Sequence, residues 1–110
     1  MKNYSTKGYA ASGVVHPAQN RIMICWGYNS GGAQFLQFFD AKAVPANGAA
    51  PVIVFALAAT SNFQFDLRFS GTDVYSGSWE FLSGLCWSNS STGDVKTIGS
   101  ADCFVNILTV

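Results

Sequence analysis

Along this chain the apolar positions recur every second residue or run together, and nowhere do they keep a helical spacing. Residues 63–69 alternate without a fault. Phe63, Phe65, Leu67 and Phe69 fall on one side, and Gln64, Asp66 and Arg68 on the other. A period of two sends successive side chains to opposite faces of a strand, so this stretch predicts a strand with one buried and one wet face. Residues 52–58, Val-Ile-Val-Phe-Ala-Leu-Ala, are instead an almost unbroken apolar run. Such a run predicts a strand covered on both sides. It is either a central strand of a sandwich or a strand whose face is buried against a neighbouring subunit.

The other elements follow from the breaks between apolar runs. Residues 21–28 are β-rich, and Asn29-Ser30-Gly31-Gly32 is a turn signal ahead of the apolar residues 33–40. Together they read as a hairpin with a loop of about four residues. Residues 41–51 contain Pro45, Asn47-Gly48 and Pro51, and predict a loop that crosses from one sheet to the other. A turn is expected at residues 60–62. A strand follows over residues 81–87 with Gly84 as a bulge, then a polar crossing at 89–92. A short strand over 95–98, a turn at Gly99-Ser100 and a closing strand from Asp102 complete the pattern. Residues 1–13 are small and polar, with aromatics at Tyr4 and Tyr9, and form an N-terminal arm or an edge strand. Residues 14–110 form one domain.

No segment combines helical spacing with capping residues. Seven to eight short strands in 110 residues predict an all-β fold, a single antiparallel β-sandwich. A jelly roll is the first choice and an Ig-like sandwich the second.

Composition adds a constraint on partners. Apolar residues make up 49% of the chain and charged residues only 11%, against about 25% in an ordinary soluble domain. Net charge is zero. A surface with so little charge does not resist association, so part of it is expected to lie against other protein. No run of Lys and Arg offers a footprint for phosphates, which argues against nucleic acid. No apolar stretch approaches the roughly 20 residues of a membrane-spanning helix. Lys2 leads into Asn3-Tyr4-Ser5-Thr6-Lys7 rather than an apolar leader segment. Cys25, Cys86 and Cys103 each sit among apolar neighbours in an odd-numbered set, and are expected as reduced core thiols.

Catalytic chemistry finds little support. The single histidine, His16, stands before Pro17, and no G-x-S-x-G nucleophile motif occurs. Asp73 and Glu80 flank one loop and are the only carboxylate pair worth considering, yet they read as solvated loop charges. No catalytic residue, cofactor or metal is expected. One feature suggests binding. Tyr75 and Trp79 lie in or beside a Gly/Ser-rich loop, where aromatic rings could stack on a sugar or dock into a partner. Trp79 could equally begin the next strand and tuck beneath the loop.

From Phe39 onward the order of segments carries a resemblance. The pieces are Phe39-Asp40-Ala41, then Val44-Pro45-Ala46-Asn47-Gly48, then Pro51-Val52, then Ala59-Thr60-Ser61-Asn62-Phe63. Next come Gly84-Leu85-Cys86-Trp87-Ser88-Asn89-Ser90-Ser91-Thr92 and Lys96-Thr97-Ile98-Gly99-Ser100-Ala101-Asp102-Cys103. This order resembles a group of small virion-associated proteins of tailed bacteriophages. The resemblance implies a structural β-sandwich without catalytic or cofactor-binding residues. It implies a virion protein assembled in the bacterial host cytoplasm, with a capsid decoration or cement role at capsomer contacts. The expected partners are copies of itself, as a homotrimer, and the major capsid protein, with Tyr4 and Tyr9 as contacts of the N-terminal arm. The alternative is a tail or fibre-associated module that contacts a host glycan or receptor through Tyr75 and Trp79. The chain departs from the pattern around residues 72–79, and its N-terminal third lies outside it.

Overall fold

The computed structural model describes residues 2–68 and 79–109. Their strands are β1 (Lys2–Ser5), β2 (Ser12–His16), β3 (Asn20–Asn29), β4 (Gln34–Phe39), β5 (Ile53–Leu57), β6 (Ser61–Asp66), β7 (Trp79–Phe81), β8 (Leu85–Ser90) and β9 (Cys103–Thr109). They form two antiparallel sheets packed as a sandwich. Sheet A has the order β1-β9-β3-β6, with β7 also paired to β3, and sheet B has the order β2-β8-β4-β5.

β6 and β7 share one position in sheet A. Asp66 to Ser61 pair with Ile24 to Asn29, and Phe81 to Trp79 pair with Asn20 to Ile22, further along the same edge of β3. The Leu67 N–H donates to the Met23 carbonyl at 2.8 Å and carries the pairing past the end of β6. With β6 and β7 counted as one interrupted strand, the two sheet orders become 1-8-3-6 and 2-7-4-5. That is the nested Greek-key order of an eight-position jelly roll. The expected sandwich is present, and its connectivity is the jelly roll rather than the Ig-like alternative.

The core follows from register. Cys25 stands opposite both Phe65 and Ile107, and Gly27 opposite Phe63 and Val105, so these positions share the inner face of sheet A. Sheet B supplies Leu36, Phe38, Ile53, Leu57, Leu85 and Trp87. Trp87, Phe38 and Phe81 are completely buried. Each such side chain contributes roughly 1.5–3 kcal/mol on leaving water. Gly27 is required by close approach, because a Cβ there would strike the Phe104 carbonyl and the Phe63 ring. As the alternation predicts, Phe63, Phe65 and Leu67 turn inward while Asn62, Gln64 and Asp66 are exposed.

Several connections differ from the sequence reading. β3 and β4 are not a hairpin. β3 pairs with β9, β6 and β7 in sheet A, and β4 with β8 and β5 in sheet B. The intervening turn crosses the end of the sandwich, and its hydrogen bonds go to other crossings: Ser30 N–H to the Asp102 carbonyl, and Thr60 N–H to the Gly31 carbonyl. Residues 40–52 do not cross between sheets, since they link β4 to its neighbour β5 in sheet B. β5 is an outermost strand, not a central one. Ile53 and Leu57 are buried, but Val54 and Ala56 are exposed. The strand expected over 81–87 is divided, with Phe81 in sheet A and Leu85 onward in sheet B. The Asp40 carboxylate makes that turn by accepting from the N–H groups of Leu82, Ser83 and Gly84. Residues 95–98 form no strand.

Of the two readings of the first residues, the structure takes the edge strand. Lys2 to Ser5 pair with Thr109 to Asn106, and Ala10 bridges Cys103. Tyr4 turns inward, and its hydroxyl accepts the Trp87 indole N–H at 3.2 Å. The N-terminal residues are therefore part of the sandwich. Tyr4→Phe leaves the buried indole N–H without its acceptor and should lower unfolding free energy by about 1 kcal/mol. Deleting residues 1–6 should lower the urea midpoint much further. An unchanged midpoint for the deletion would identify β1 as a detachable arm.

Candidate functional site

The two outer faces of the sandwich differ in what covers them. On sheet B, Gln37, Phe39, Cys86, Ser88 and Ser90 alternate with core positions, so they point outward, yet all are buried. Residues 40–51 and 91–100 account for this. The Gln37 Nε2 donates to the carbonyls of Thr92, Val95 and Gly93 at 2.9, 3.1 and 3.2 Å. Ser90 Oγ donates to the Thr92 carbonyl at 2.7 Å and accepts from the Thr97 N–H at 2.9 Å. The two covering segments are joined by Gly48 N–H to the Lys96 carbonyl and Lys96 N–H to the Ala49 carbonyl, both 2.8 Å. The centre of this face, over β4 and β8, is covered by the protein's own chain, while Val14 on β2 and Val54 on β5 stay exposed at its two edges.

On sheet A the outward side chains of β3 and β9 are half-buried among the described residues. Ile24 stands opposite Leu108, Trp26 opposite Asn106, and Tyr28 opposite Phe104. On the other flank the same three residues face Asp66, Gln64 and Asn62. Tyr9, 57% exposed, meets Phe104 edge-on, with ring centroids 6.3 Å apart. The result is a stripe of aromatic and aliphatic groups with Asn106 set among them and the Gln64 and Asn62 amides along one flank. Cross-strand apolar pairs of this kind stabilise the sheet itself, but they leave one side of each ring free.

Charge appears at one end of this face and is paired there. Arg21 and Glu80 are opposite one another across β3 and β7 and form an ion pair. Arg68 Nη2 lies 2.7 Å from Asp66 Oδ2. The hydrogen bonds from Arg68 hold the Asp66 carboxyl down to about 2, so it stays ionised at any ordinary pH. The centre of the stripe is electrically neutral.

The polar groups at the end of the sandwich are structural. Asn29 and Asn89 are fully buried. Asn29 Nδ2 donates to the carbonyls of Gly32 and Ala58, and its Oδ1 accepts from Gly31 N–H and Gln34 Nε2. Asn89 Nδ2 donates to the Ser100 carbonyl and Asp102 Oδ1, and its Oδ1 accepts from Gly99 N–H. Gln34 Nε2 also reaches Asp102 Oδ1 at 2.8 Å. Each amide is used up by the chain itself. Among the described residues no group of three or more His, Cys, Asp or Glu side chains is placed to hold a metal ion.

The residues singled out from sequence are scattered. Tyr75 and Asp73 lie outside the described residues. Trp79 stands opposite Ile22 in β7 and packs, partly buried, against the core. Tyr4 is inside and Tyr9 outside, so the two do not form one contact surface. His16 Nδ1 lies 3.3 Å from the Ala18 N–H, within its own turn. The stripe residues Ile24, Trp26, Tyr28, Phe104 and Leu108 escaped the sequence reading. Their signal was present, because residues 22–26 and 103–105 are apolar at both parities and a strand can turn only one parity toward a single core.

Cys25, Cys86 and Cys103 are free and buried. Burial raises the thiol pKa of all three, and carries Cys103 from 9.0 to about 12. Thiol reagents at mildly alkaline pH should therefore leave the native protein unlabelled and modify three groups once it unfolds. The sign of the pH effect follows by linkage. The unfolded chain loses the Cys103 proton near 9.0 and the folded chain only near 12, so stability is full below the first value and falls as pH rises between them. Denaturant midpoints measured across that range check it. No family model matches the chain, and no curated protein or solved structure matches it either, so the site is read from its own geometry.

Proposed function

We propose that this chain is a non-catalytic structural protein of a tailed-phage virion, of the capsid decoration or cement kind. It docks on a neighbouring subunit, such as the major capsid protein, through the outer face of sheet A. The observation that carries this reading is the contrast between the two faces. One is roofed over its centre by the chain's own segments, and the other presents the half-buried Ile24, Trp26, Tyr28, Phe104 and Leu108 in register with no covering segment among the described residues. Jelly rolls serve both viral capsids and lectins, so the fold alone does not choose between functions. A neutral aromatic stripe suits a protein partner, because Trp and Tyr in the centre of an interface often contribute 2 kcal/mol or more each. The described carboxylates support a non-catalytic role, since Asp40, Asp66, Glu80 and Asp102 are each committed to donors within the fold.

A second reading is a tail or fibre-associated module that binds a host glycan. Trp26 lies between Asn106 and Gln64, an aromatic plane with amide donors on both sides, which also suits a sugar ring.

Trp26→Ser tests both readings, because Trp26 is on the outer face and the core does not depend on it. Circular dichroism should show the variant folded. Its sedimentation with particles bearing the major capsid protein should weaken at least 10-fold, as expected for loss of a central aromatic anchor. Undiminished particle binding would remove the sheet A face from the docking role. A glycan-array signal in the parent that disappears in Trp26→Ser would favour the second reading.

A further inference from the structure

An open sandwich ends in four edge positions, each with a row of backbone N–H and C=O groups that no strand of its own sheet uses. Three of the four are protected here. β1 is short, with Lys2 at its start and Lys7 just beyond it. β2 has a register shift between Val14 and His16, and Pro17 follows it. The β6–β7 position is interrupted and carries Asp66, Arg68 and Glu80. Charges, bulges, breaks and prolines are the devices that keep edge strands from pairing with other chains.

β5 has almost none of them. No charged residue occurs between Lys42 and Asp66. Pro51 precedes the strand, but Ile53 to Leu57 pair with β4 in an unbroken register. Its outward side is apolar, with Val52 47% and Val54 36% exposed and Ala56 exposed as well. Beside it, the seam between the two sheets is lined by aromatic rings. Phe55 stacks on Phe65 at 4.0 Å, and Phe63 lies 5.8 Å from Phe65. All three rings are only partly buried.

We propose that β5 pairs antiparallel with β5 of a second copy, about a two-fold axis at Phe55, merging two four-stranded sheets into one of eight. The register is self-complementary. Ile53 meets Leu57 of the second copy, Val54 meets its Ala56, and Phe55 meets its Phe55. Every pair is apolar on both faces of the joined sheet, and no like charges are brought together. Such an isologous contact closes at two subunits, unlike the homotrimer implied by the resemblance. Five residues at about 3.3 Å each span roughly 17 Å. A strand pairing this short, even with the aromatic seam beside it, is small against the roughly 1,000 Å² that a specific stable interface buries. The pairing should therefore be reversible with protein concentration.

Light scattering on the full chain across a concentration series tests this. The mass should rise from 11.7 kDa toward twice that value. Val54→Lys and Ala56→Lys, at exposed outward positions, should each weaken dimerisation at least 10-fold without lowering the melting temperature of dilute protein. Hydrogen exchange of residues 53–57 should slow as concentration rises in the parent and not in the variants. A mass that stays single at high concentration, a threefold mass, or a dimer indifferent to both variants overturns the proposal. A dimer lost in Trp26→Ser but kept in Val54→Lys also overturns it, and assigns self-association to the sheet A face.

Discussion

The two sheets are held in one arrangement by a clasp of three amides, Asn29, Gln34 and Asn89, gathered around the Asp102 carboxylate at one end of the sandwich. Four crossings between the sheets meet there, at residues 6–11, 30–33, 58–60 and 91–102, and the clasp ties the last three together. Asn29 ties the crossing at 30–33 to that at 58–60 by donating to the Gly32 and Ala58 carbonyls. Gln34 ties Asn29 to Asp102, and Asn89 holds Gly99, Ser100 and Asp102. A buried amide left without its partners costs about 1–3 kcal/mol per group, so a crossing placed elsewhere would orphan several groups at once. The penalty selects the jelly-roll connectivity over other ways of linking the same strands.

Because the clasp uses three amides and a single carboxylate, the fold needs few charges, and the surface inherits that economy. Polar groups are spent at the end of the sandwich and on the roof over sheet B, where Gln37 and Ser90 anchor the covering segments. What remains outward on sheet A is set by the parity of β3 and β9. Cys25, Val105 and Ile107 must face the core, so Ile24, Trp26, Phe104 and Leu108 cannot. The outward stripe is therefore a by-product of register that selection could either have made polar or put to use. Asn106, between Phe104 and Leu108 and opposite Trp26, is its one polar interruption, and it carries no charge.

The strands were legible in the sequence wherever one parity was apolar and the other polar, as at residues 61–67. Connections were not legible. A Gly-rich turn of four residues looks the same whether it closes a hairpin or crosses the core. Here the choice is made by bonds to distant residues, such as Ser30 and Gln34 to Asp102. The division between β7 and β8 likewise depends on Asp40, about forty residues upstream in the chain. Residues 52–58 misled for a different reason. An apolar run at both parities states that both faces avoid water, but not whether sheet or partner covers the second face. β5 lies at an edge with Val52 and Val54 exposed, so its own sheets do not cover the second face.

The proposed docking face and the proposed β5 contact are linked by geometry. Antiparallel pairing of edge strands within one continuous sheet places the two-fold axis perpendicular to that sheet. Both copies of sheet A then lie on the same side of the joined sheet B, and both aromatic stripes face the same direction. A β5-linked pair would therefore meet an underlying protein lattice with two stripes at once. The second contact would form at the effective concentration set by a rigid connection, which can raise avidity by roughly 10²–10⁴ without any new contact type. If the pair matches the spacing of the lattice beneath, weak self-pairing and weak docking reinforce one another, and each remains reversible in solution.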